Sequence, residues 1–273
     1  MAKWTAFPHA GVYAWDAASV QQSWARLHQG DCEALPEDTA VLQAWVLFHN
    51  GEFQAAAQAG LQAGGHGITV ANKATSIYAN YLEAREKTRL ALFMEVVSRA
   101  EAQQALDPDN ANAWFWQAYA LGRYSQGISV TKALAQGLGG KVKHALEQTI
   151  KLSARHAEAH IALATFHAEV IDKVGTLIGC MTYGAKKDIG LSLYQAGLNF
   201  HSGCAIAMME YANGLLMLEG DRKMPQATAL YEQAAAIPPA DAAERLAPEQ
   251  PGLCRAGTRL RLCRRAHHAH RAV

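Results

Sequence analysis

The chain has 273 residues, of which 50% are hydrophobic and 18% are charged, and its formal net charge at pH 7 is +1. This composition excludes a disordered chain, which has too few apolar residues to form a core, and a bundle of membrane helices, which carries fewer charges. The near-neutral charge excludes a strong overall field directed at nucleic acid or at a membrane.

Residues 1–36 are rich in tryptophan and contain a helix start. Trp4, Trp15 and Trp24 all fall in this segment, and Asp16 can cap a helix that begins directly after it. A terminal repeat needs a cap because one of its faces has no neighbouring repeat. We therefore predict that this segment is a packed N-terminal cap, with a docking segment for another protein as the alternative.

The first residues of the chain and its cysteines indicate the cellular compartment. The first residues lack the charged start and apolar run of a secretory signal, and no apolar stretch approaches the length of a membrane helix. The five cysteines are scattered, and none forms a C-x-x-C pair, which argues against a disulfide framework and a zinc ribbon. We expect a bacterial, cytoplasmic protein without membrane insertion.

Helical periodicity runs through the chain, and strand-like alternation is missing. Residues 39–50 and 52–63 predict a helical hairpin, which a glycine cluster ends. Residues 68–106 predict a long helical region with one break near Leu82. An Asp-Pro-Asp-Asn sequence then stops this region, and its last residue, Asn110, can cap the next helix.

A repeat of two helices becomes visible from there. Ala113, Ala159 and Ala207 stand 46 and then 48 residues apart, and a second set of alanines, five residues further on, follows the same spacing: Ala118, Ala164 and Ala212. Each pair precedes a second predicted helix: residues 141–152, 185–199 and 225–237. A period of this length with two helices per unit predicts an all-α fold of the α-solenoid class.

The small residues of these hairpins resemble those of the tetratricopeptide repeat (TPR) family. The matching positions are Ala44, Gly51, Ala56 and Ala63 in one hairpin, and Ala227, Tyr231, Ala234 and Pro239 in another. The resemblance covers roughly residues 37–63 and 98–240. It departs from the family in the two central units, which carry long inserts between their helices, around residues 125–140 and 172–184.

Long central inserts are similar to those of a narrower group of divergent TPR proteins. This group contains the T-component subunits of TRAP transporters and the regulators of microtubule dynamics. The stretches 156–160 and 211–216 carry the resemblance. The T-components are lipoproteins, whereas this chain shows no lipoprotein signal. The resemblance implies a TPR-like scaffold with a transport-associated role as one option.

The composition changes near the end of the chain. No acidic residue follows Glu249, whereas six arginines do, so this end of the chain is basic and without acidic partners. We predict three segments: an N-terminal cap over residues 1–36, a TPR-like domain over 37–240, and a basic, poorly ordered tail over 241–273.

Catalytic and metal-binding motifs are missing, so we expect no enzyme, no catalytic residue and no cofactor. The glycine-rich run 137–141 lacks both the hydroxyl residue and the preceding strand of a phosphate loop. His156, His160 and His167 follow a helical spacing that could place two imidazoles on a metal, but no third ligand is fixed, and packing is the favoured interpretation. In the tail, the cysteines and histidines could ligate a metal ion, but the positive charges of the neighbouring arginines would repel it.

Two lysines stand at similar places in the central units. Gly139-Gly140-Lys141 and Gly184-Ala185-Lys186 both fall where a second helix is predicted to begin. Free amide groups at a helix start, together with a lysine, suit a carboxylate or phosphate. The alternative, which we favour, is that Lys141 and Lys186 are solvated surface residues.

In such repeats the first helix of each hairpin lines the inner, concave surface. The residues of this helix that point away from the core form a stripe, which is therefore the natural binding face. The residue after each repeated alanine, and the residue one turn further, define this stripe. Its members are Trp45, His49, Tyr119, Arg123, Thr165, Glu169 and Asn213. Burial of Trp45 and Tyr119 in the core is the alternative.

The leading hypothesis is a non-catalytic TPR-like scaffold that binds a partner protein or peptide in its concave groove. The alternative is a small-ligand protein that binds an anion, a carboxylate or a phosphate, and is associated with transport. Nucleic-acid binding is not expected, because acidic residues dilute the basic ones.

Overall fold

The computed structural model describes residues 3–246, and all regular secondary structure in this range is helical. The described residues form two compact units, 3–154 with Asp241–Ala243 and Arg155–Ala240 with 244–246. Within the described range, each helix is too short or too polar to cross a membrane. The boundaries of the three segments expected from the sequence stay a prediction.

The first unit contains eight helices among its described residues. They are α1 (Ala17–Leu27), α2 (Thr39–His49), α3 (Phe53–Ala63), α4 (Gly67–Tyr81), α5 (Glu86–Leu106), α6 (Ala111–Gln126), α7 (Val130–Ala135) and α8 (Leu138–Leu152). Successive helices pack against each other from α1 to α6, and α8 packs on α6. The predicted break near Leu82 is confirmed, because α4 ends at Tyr81 and α5 begins at Glu86.

The second unit consists of two further hairpins. Its helices are α9 (Ala157–Val174), α10 (Thr176–Tyr183), α11 (Lys187–Phe200), α12 (Ala205–Glu219) and α13 (Met224–Ala235), with a 3₁₀ turn at Gly220–Lys223. The first hairpin pairs α9 with α11, and the second pairs α12 with α13. A short last helix, α14, spans Ala242–Leu246.

Both long central inserts contain a short helix of their own. The insert between α6 and α8 forms α7, which packs on α8, and the insert between α9 and α11 forms α10, which packs on α9. None of the six residues of α7 is buried. The inserts are therefore helical additions to the side of each hairpin.

The helix starts follow the sequence signals. Asp16 and Ser19 form a capping box in which each side chain accepts a hydrogen bond from the other residue's backbone N–H, as expected for a favourable helix start. Asn110 caps α6 by accepting from the N–H of Ala113. Both predicted caps are confirmed.

The repeated alanines form the contacts between helices. All six are at most 4% exposed: Ala113, Ala118, Ala159, Ala164, Ala207 and Ala212. In the second unit, Ala164 lies in a core with Tyr194 and Tyr211, whose rings stack at 5.1 Å. A small side chain at each of these positions lets the neighbouring helix approach closely, which is what the repeat predicts.

Helices α3 and α4 approach each other most closely at a pair of glycines. A Cβ atom on Gly67 would lie 2.5 Å from the carbonyl oxygen of Gly60 and 3.0 Å from the Cβ of Ala63. A Cβ on Gly60 would in turn contact the carbonyl oxygen of Gly67. These contacts involve rigid backbone atoms, so both positions require glycine for the observed packing.

The N-terminal segment packs onto the first helices of its unit. The Trp4 ring stacks on Tyr78 at 4.1 Å, and the backbone N–H of Trp4 donates to the Gln54 side chain at 3.0 Å. Trp15 and Asn50 exchange two hydrogen bonds of 2.8 and 2.9 Å. These contacts are the ones that a packed cap would make.

Candidate functional site

A charged cluster lies among the helices of the first unit, and we call it the Lys73 cluster. Its members are the buried His28, Asp31, Lys73 and Asn112 and the half-buried Glu33. The ammonium of Lys73 lies 2.6 Å from Asp31 Oδ2, and His28 Nδ1 lies 3.0 Å from Asp31 Oδ1. The amide of Asn112 donates to the backbone oxygen of Asp31 at 3.1 Å and to Glu33 Oε2 at 2.6 Å. The cluster thereby joins the loop after α1 to α4 and α6.

Aromatic rings enclose the ammonium of Lys73. It lies 5.6 Å from the ring centroid of Trp45, 5.5 Å from that of Phe48 and 5.9 Å from that of Trp116. Rings at this distance attract a cation, and the attraction grows when water is excluded. The charge of Lys73 is therefore balanced by Asp31 on one side and by aromatic rings on the other.

Burial and charge shift the pKa values in this cluster in different directions. Burial opposes the ionisation of Asp31, but the charge of Lys73 holds the Asp31 pKa well below its usual value. Burial lowers the pKa of His28 to about 4, despite the neighbouring Asp31. Burial and then the charge of Asp31 raise the pKa of Glu33 to about 8. At neutral pH the cluster therefore holds one ion pair, a neutral histidine and a protonated Glu33.

Replacement of Glu33 by glutamine is expected to change how stability depends on pH. The folded chain keeps a proton on Glu33 up to about pH 8, whereas the unfolded chain loses it near 4.5, so the free energy of unfolding falls as pH rises through this window. His28 acts oppositely, because its contribution is present above 6.5 and is lost as pH falls towards 4. Between 6.5 and 8 the contribution of His28 is therefore constant, whereas that of Glu33 still changes.

In that window the wild-type chain should lose about 1.4 kcal/mol of unfolding free energy per pH unit. The Glu33→Gln variant should lose much less, because it has no proton to release. Urea denaturation at several pH values measures both slopes. Glu37→Gln, at an exposed position close in sequence, is the matched control, and an unchanged slope in Glu33→Gln would contradict the assignment.

The Lys73 cluster was not anticipated from the sequence. The signal available was a single lysine within the otherwise uncharged run of α4, since a lone charge inside an apolar helix needs a buried partner. Asp31 and Glu33, in the loop after α1, give no such signal. The charges of the cluster bind each other inside the unit, so they are not available to a ligand.

Two residues of the predicted stripe, Trp45 and His49, lie inside the first unit. Trp45 is fully buried and contacts the ring of Trp24 edge to face at 5.9 Å. His49 is also buried, and its Nδ1 lies 2.7 Å from Asp241 Oδ2. These side chains contribute to the core of the unit and are not accessible to a partner.

The other pair in the first unit, Tyr119 and Arg123, lies at its surface on α6. Both side chains are half-buried. The guanidinium of Arg123 lies over the Tyr119 ring, 5.3 Å from its centroid, and Nη1 of Arg123 donates to Gln126 Oε1 at 3.3 Å. The pair presents a ring and a cation side by side at one turn of α6.

The stripe residues of the second unit differ in exposure. Thr165 is half-buried, and its hydroxyl lies 3.0 Å from that of Tyr194, whose pKa burial raises. Glu169 is partly exposed and pairs with Lys173 at 3.2 Å. Asn213 is buried and accepts a 2.6 Å hydrogen bond from the hydroxyl of Tyr231. Thr165 and Glu169 therefore lie within reach of a partner, whereas Asn213 does not.

The two lysines considered for anion binding do not occupy equivalent places, contrary to what the two glycine-containing sequences predicted. Lys141 is exposed and is the fourth residue of α8, whose first turn begins at Leu138. Lys186 is exposed and precedes α11, and its backbone N–H already donates to His167 Nδ1 at 3.0 Å. The difference arises because Gly137, with a φ of +63°, starts α8 earlier than the glycine pattern suggested.

The three histidines of α9 have structural roles. His156 caps the helix by accepting from the N–H of Ala159 at 3.1 Å, and His160 Nδ1 lies 2.9 Å from the backbone oxygen of His156. His167 accepts from Lys186. Residues 3–246 contain no group of three side chains arranged to hold a metal ion, and the histidines and cysteines of the tail lie outside this range.

A cavity of about 260 Å³ opens where α4 begins and α5 ends. Its apolar walls include Ile68, Ala102 and Leu106, and its polar lining residues are His66, Arg99, Gln103, Asp107 and Asn110. Arg99 donates to Thr75 at 2.9 Å, and Gln103 donates to Thr69 at 3.1 Å. Its walls are mainly apolar, and these two polar side chains already hold α5 against α4.

Comparison with known proteins shows the fold. No protein-family model matches the chain, and no curated protein matches its sequence. Among solved structures, it is similar to TTC0263, a thermophilic TPR protein in Thermus thermophilus, with a TM-score of 0.55 and 15% sequence identity. The likeness covers 77% of this chain and 95% of that chain. The predicted all-α class, with TPR-like helical hairpins and long central inserts, is therefore confirmed.

Proposed function

We propose that this chain is a non-catalytic TPR-like scaffold that binds a partner protein or peptide, in a bacterial cytoplasm. The observation that supports this function best is the Tyr119–Arg123 pair on α6. Aromatic and arginine side chains supply much of the binding energy at protein interfaces, because they combine a large apolar surface with directed hydrogen bonds. Here they stand together, half-exposed, on the first helix of a hairpin.

The binding surface that we propose is smaller than the stripe expected from the sequence. On the first unit, by itself, it is a patch of Tyr119 and Arg123, because Trp45 and His49 are buried. On the second unit, Thr165 and Glu169 form a separate patch, which is proposed independently of the first. Membership of the T-component or microtubule-regulator subgroup stays a prediction.

The alternative function, binding of a small carboxylate or phosphate, has less support at Lys141 and Lys186. An anion site needs free backbone N–H groups beside the cation, and the N–H of Lys186 is already bonded to His167. The cavity beside Arg99 offers a guanidinium, but the carboxylate of Asp107 also lines it and Arg99 already donates to Thr75. A rise in melting temperature on adding inorganic phosphate or acetate would favour this alternative.

The Tyr119→Ala and Arg123→Glu variants test the scaffold directly. We expect each to weaken binding of the native partner about tenfold or more, because each removes a side chain of the kind that anchors protein interfaces. The experiment captures a stoichiometric partner from native lysate with the full-length chain and measures its affinity for each variant.

Arg26→Glu, an exposed arginine on α1, is the control for charge reversal alone and should bind as the wild type does. Equal binding by the wild type and by both α6 variants would contradict the proposed surface. Reproducible turnover of a small molecule by the purified chain would contradict the scaffold itself.

A further inference from the structure

The chain returns to the first unit after it has formed the second. The first unit consists of residues 3–154 together with Asp241–Ala243, and we call these last three residues the return segment. Asp241 is 5% exposed, and Ala242 is fully buried. The return segment is therefore built into the first unit, although it stands far from the rest of that unit in the sequence.

The return segment is held where α2 ends. Nδ1 of His49, the last residue of α2, lies 2.7 Å from Asp241 Oδ2, and the ring of His49 stacks on that of Trp45. The methyl group of Ala242 packs close to Gly51, where an added Cβ atom would lie 3.0 Å from it. The site therefore binds a carboxylate with an imidazole and a small side chain directly after it.

His49 holds the repeat position that Arg123 holds on α6. Each follows, by one helical turn, the aromatic residue after a repeated alanine, which is Trp45 in α2 and Tyr119 in α6. On α6 the pair is half-buried at the surface, whereas on α2 the imidazole is bonded to Asp241. The chain itself thus occupies a position of the first hairpin that the repeat assigns to the binding face.

The return segment has little apolar surface of its own. Two of its three side chains are single methyl groups, and the third is a carboxylate, so its burial removes little apolar area from water. As a separate peptide, such a segment would bind weakly. Its place in the same chain gives it a high effective concentration at the site.

We propose that the site at His49 and Gly51 binds an acidic segment of the partner protein, an aspartate followed by two small residues, and that the return segment is an internal ligand which this partner displaces. The proposal rests on the proposed scaffold function and adds to it a second site and a form of self-inhibition. While the return segment is in place, His49 is not accessible, so the partner binds more weakly than it would bind to an empty site.

The test uses the full-length chain with the substitution Ala242→Trp, because an indole has no room at this fully buried position and expels the return segment. The probe is a fluorescein-labelled peptide with the sequence of residues 236–246, Ala-Ile-Pro-Pro-Ala-Asp-Ala-Ala-Glu-Arg-Leu. Fluorescence anisotropy should show about tenfold tighter binding to the variant than to the wild type, in which the internal ligand competes.

Two comparisons test the chemistry of the site. Ala236→Trp places the same indole at an exposed position of the chain and should bind the peptide as the wild type does. A peptide with asparagine in place of aspartate should bind the Ala242→Trp variant about tenfold more weakly, because it loses the charge that His49 contacts.

Equal binding of the peptide by the wild type and the Ala242→Trp variant would overturn the proposal, and so would equal binding of the aspartate and asparagine peptides. Displacement of the peptide by an equal concentration of acetate would also overturn it, since the site would then take any free carboxylate. Asp241→Asn, which keeps the shape of the return segment, is the milder variant. It should bind the peptide about threefold more tightly than the wild type, and unchanged binding would contradict the internal ligand.

The two proposals can fail separately in these experiments. If the native partner depends on Tyr119 but binds the wild type and the Ala242→Trp variant equally, the scaffold stands and the internal ligand falls. If the peptide binds as expected while no partner depends on Tyr119 or Arg123, the site at His49 stands and the proposed surface on α6 falls.

Discussion

Replacement of Lys73 by methionine is expected to lower the free energy of unfolding by about 3–5 kcal/mol, because it leaves Asp31 buried without its cation. Methionine keeps the length and apolar stem of lysine, so the loss reports the charge and not the packing. All six tryptophans of the chain lie in the first unit. Urea denaturation followed by tryptophan fluorescence therefore measures the unit that contains the substitution.

The double variant Lys73→Met/Asp31→Asn measures how much the ion pair contributes to the free energy of unfolding beyond the cost of burying its two charges. With both charges removed, most of the lost stability should return, since a buried pair contributes little beyond the cost of burying it. If the single variant loses less than about 1 kcal/mol, Lys73 and Asp31 are not a buried ion pair in solution.

Replacement of Trp45 by alanine is expected to have an effect of similar size, about 3–5 kcal/mol, because it opens a large void in the core. The indole is fully buried and touches the rings of Trp24 and His28. The same urea experiment measures the loss, and Trp24 and Trp116 supply the fluorescence signal.

Tyr119→Ala is the comparison, since Tyr119 follows its repeated alanine as Trp45 follows Ala44 but is only half-buried. Its loss of stability should be clearly smaller, and its loss of partner binding larger. A stable Trp45→Ala variant that no longer binds the partner would reverse this assignment and return Trp45 to the binding surface.

The periodic features of the fold could be predicted from the sequence because they depend on local spacing. The repeated alanines, the break near Leu82 and the caps at Asp16 and Asn110 all follow from residues within a few turns of each other. Each is a property of one helix or one hairpin. The helical form of the inserts was missed, because α7 and α10 are too short for a periodic pattern to be distinctive.

The exposure of the stripe could not be predicted, because spacing along a helix does not say what covers it. Trp45 and Tyr119 hold the same repeat position, yet the N-terminal segment covers only the first, through Trp24. His49 is buried by Asp241, a residue 192 positions away in the sequence. The Lys73 cluster has the same origin, since its members come from α4, α6 and the loop after α1.

The backbone contact between Gly60 and Gly67 limits how the first unit can respond to a partner. If α3 moved along α4 by one residue, the side chain of Ala59 or Leu61 would have to occupy space that the facing main chain already fills. These two helices therefore behave as a single rigid element. If the first unit changes its conformation when a partner binds, the change has to occur at its other contacts between helices.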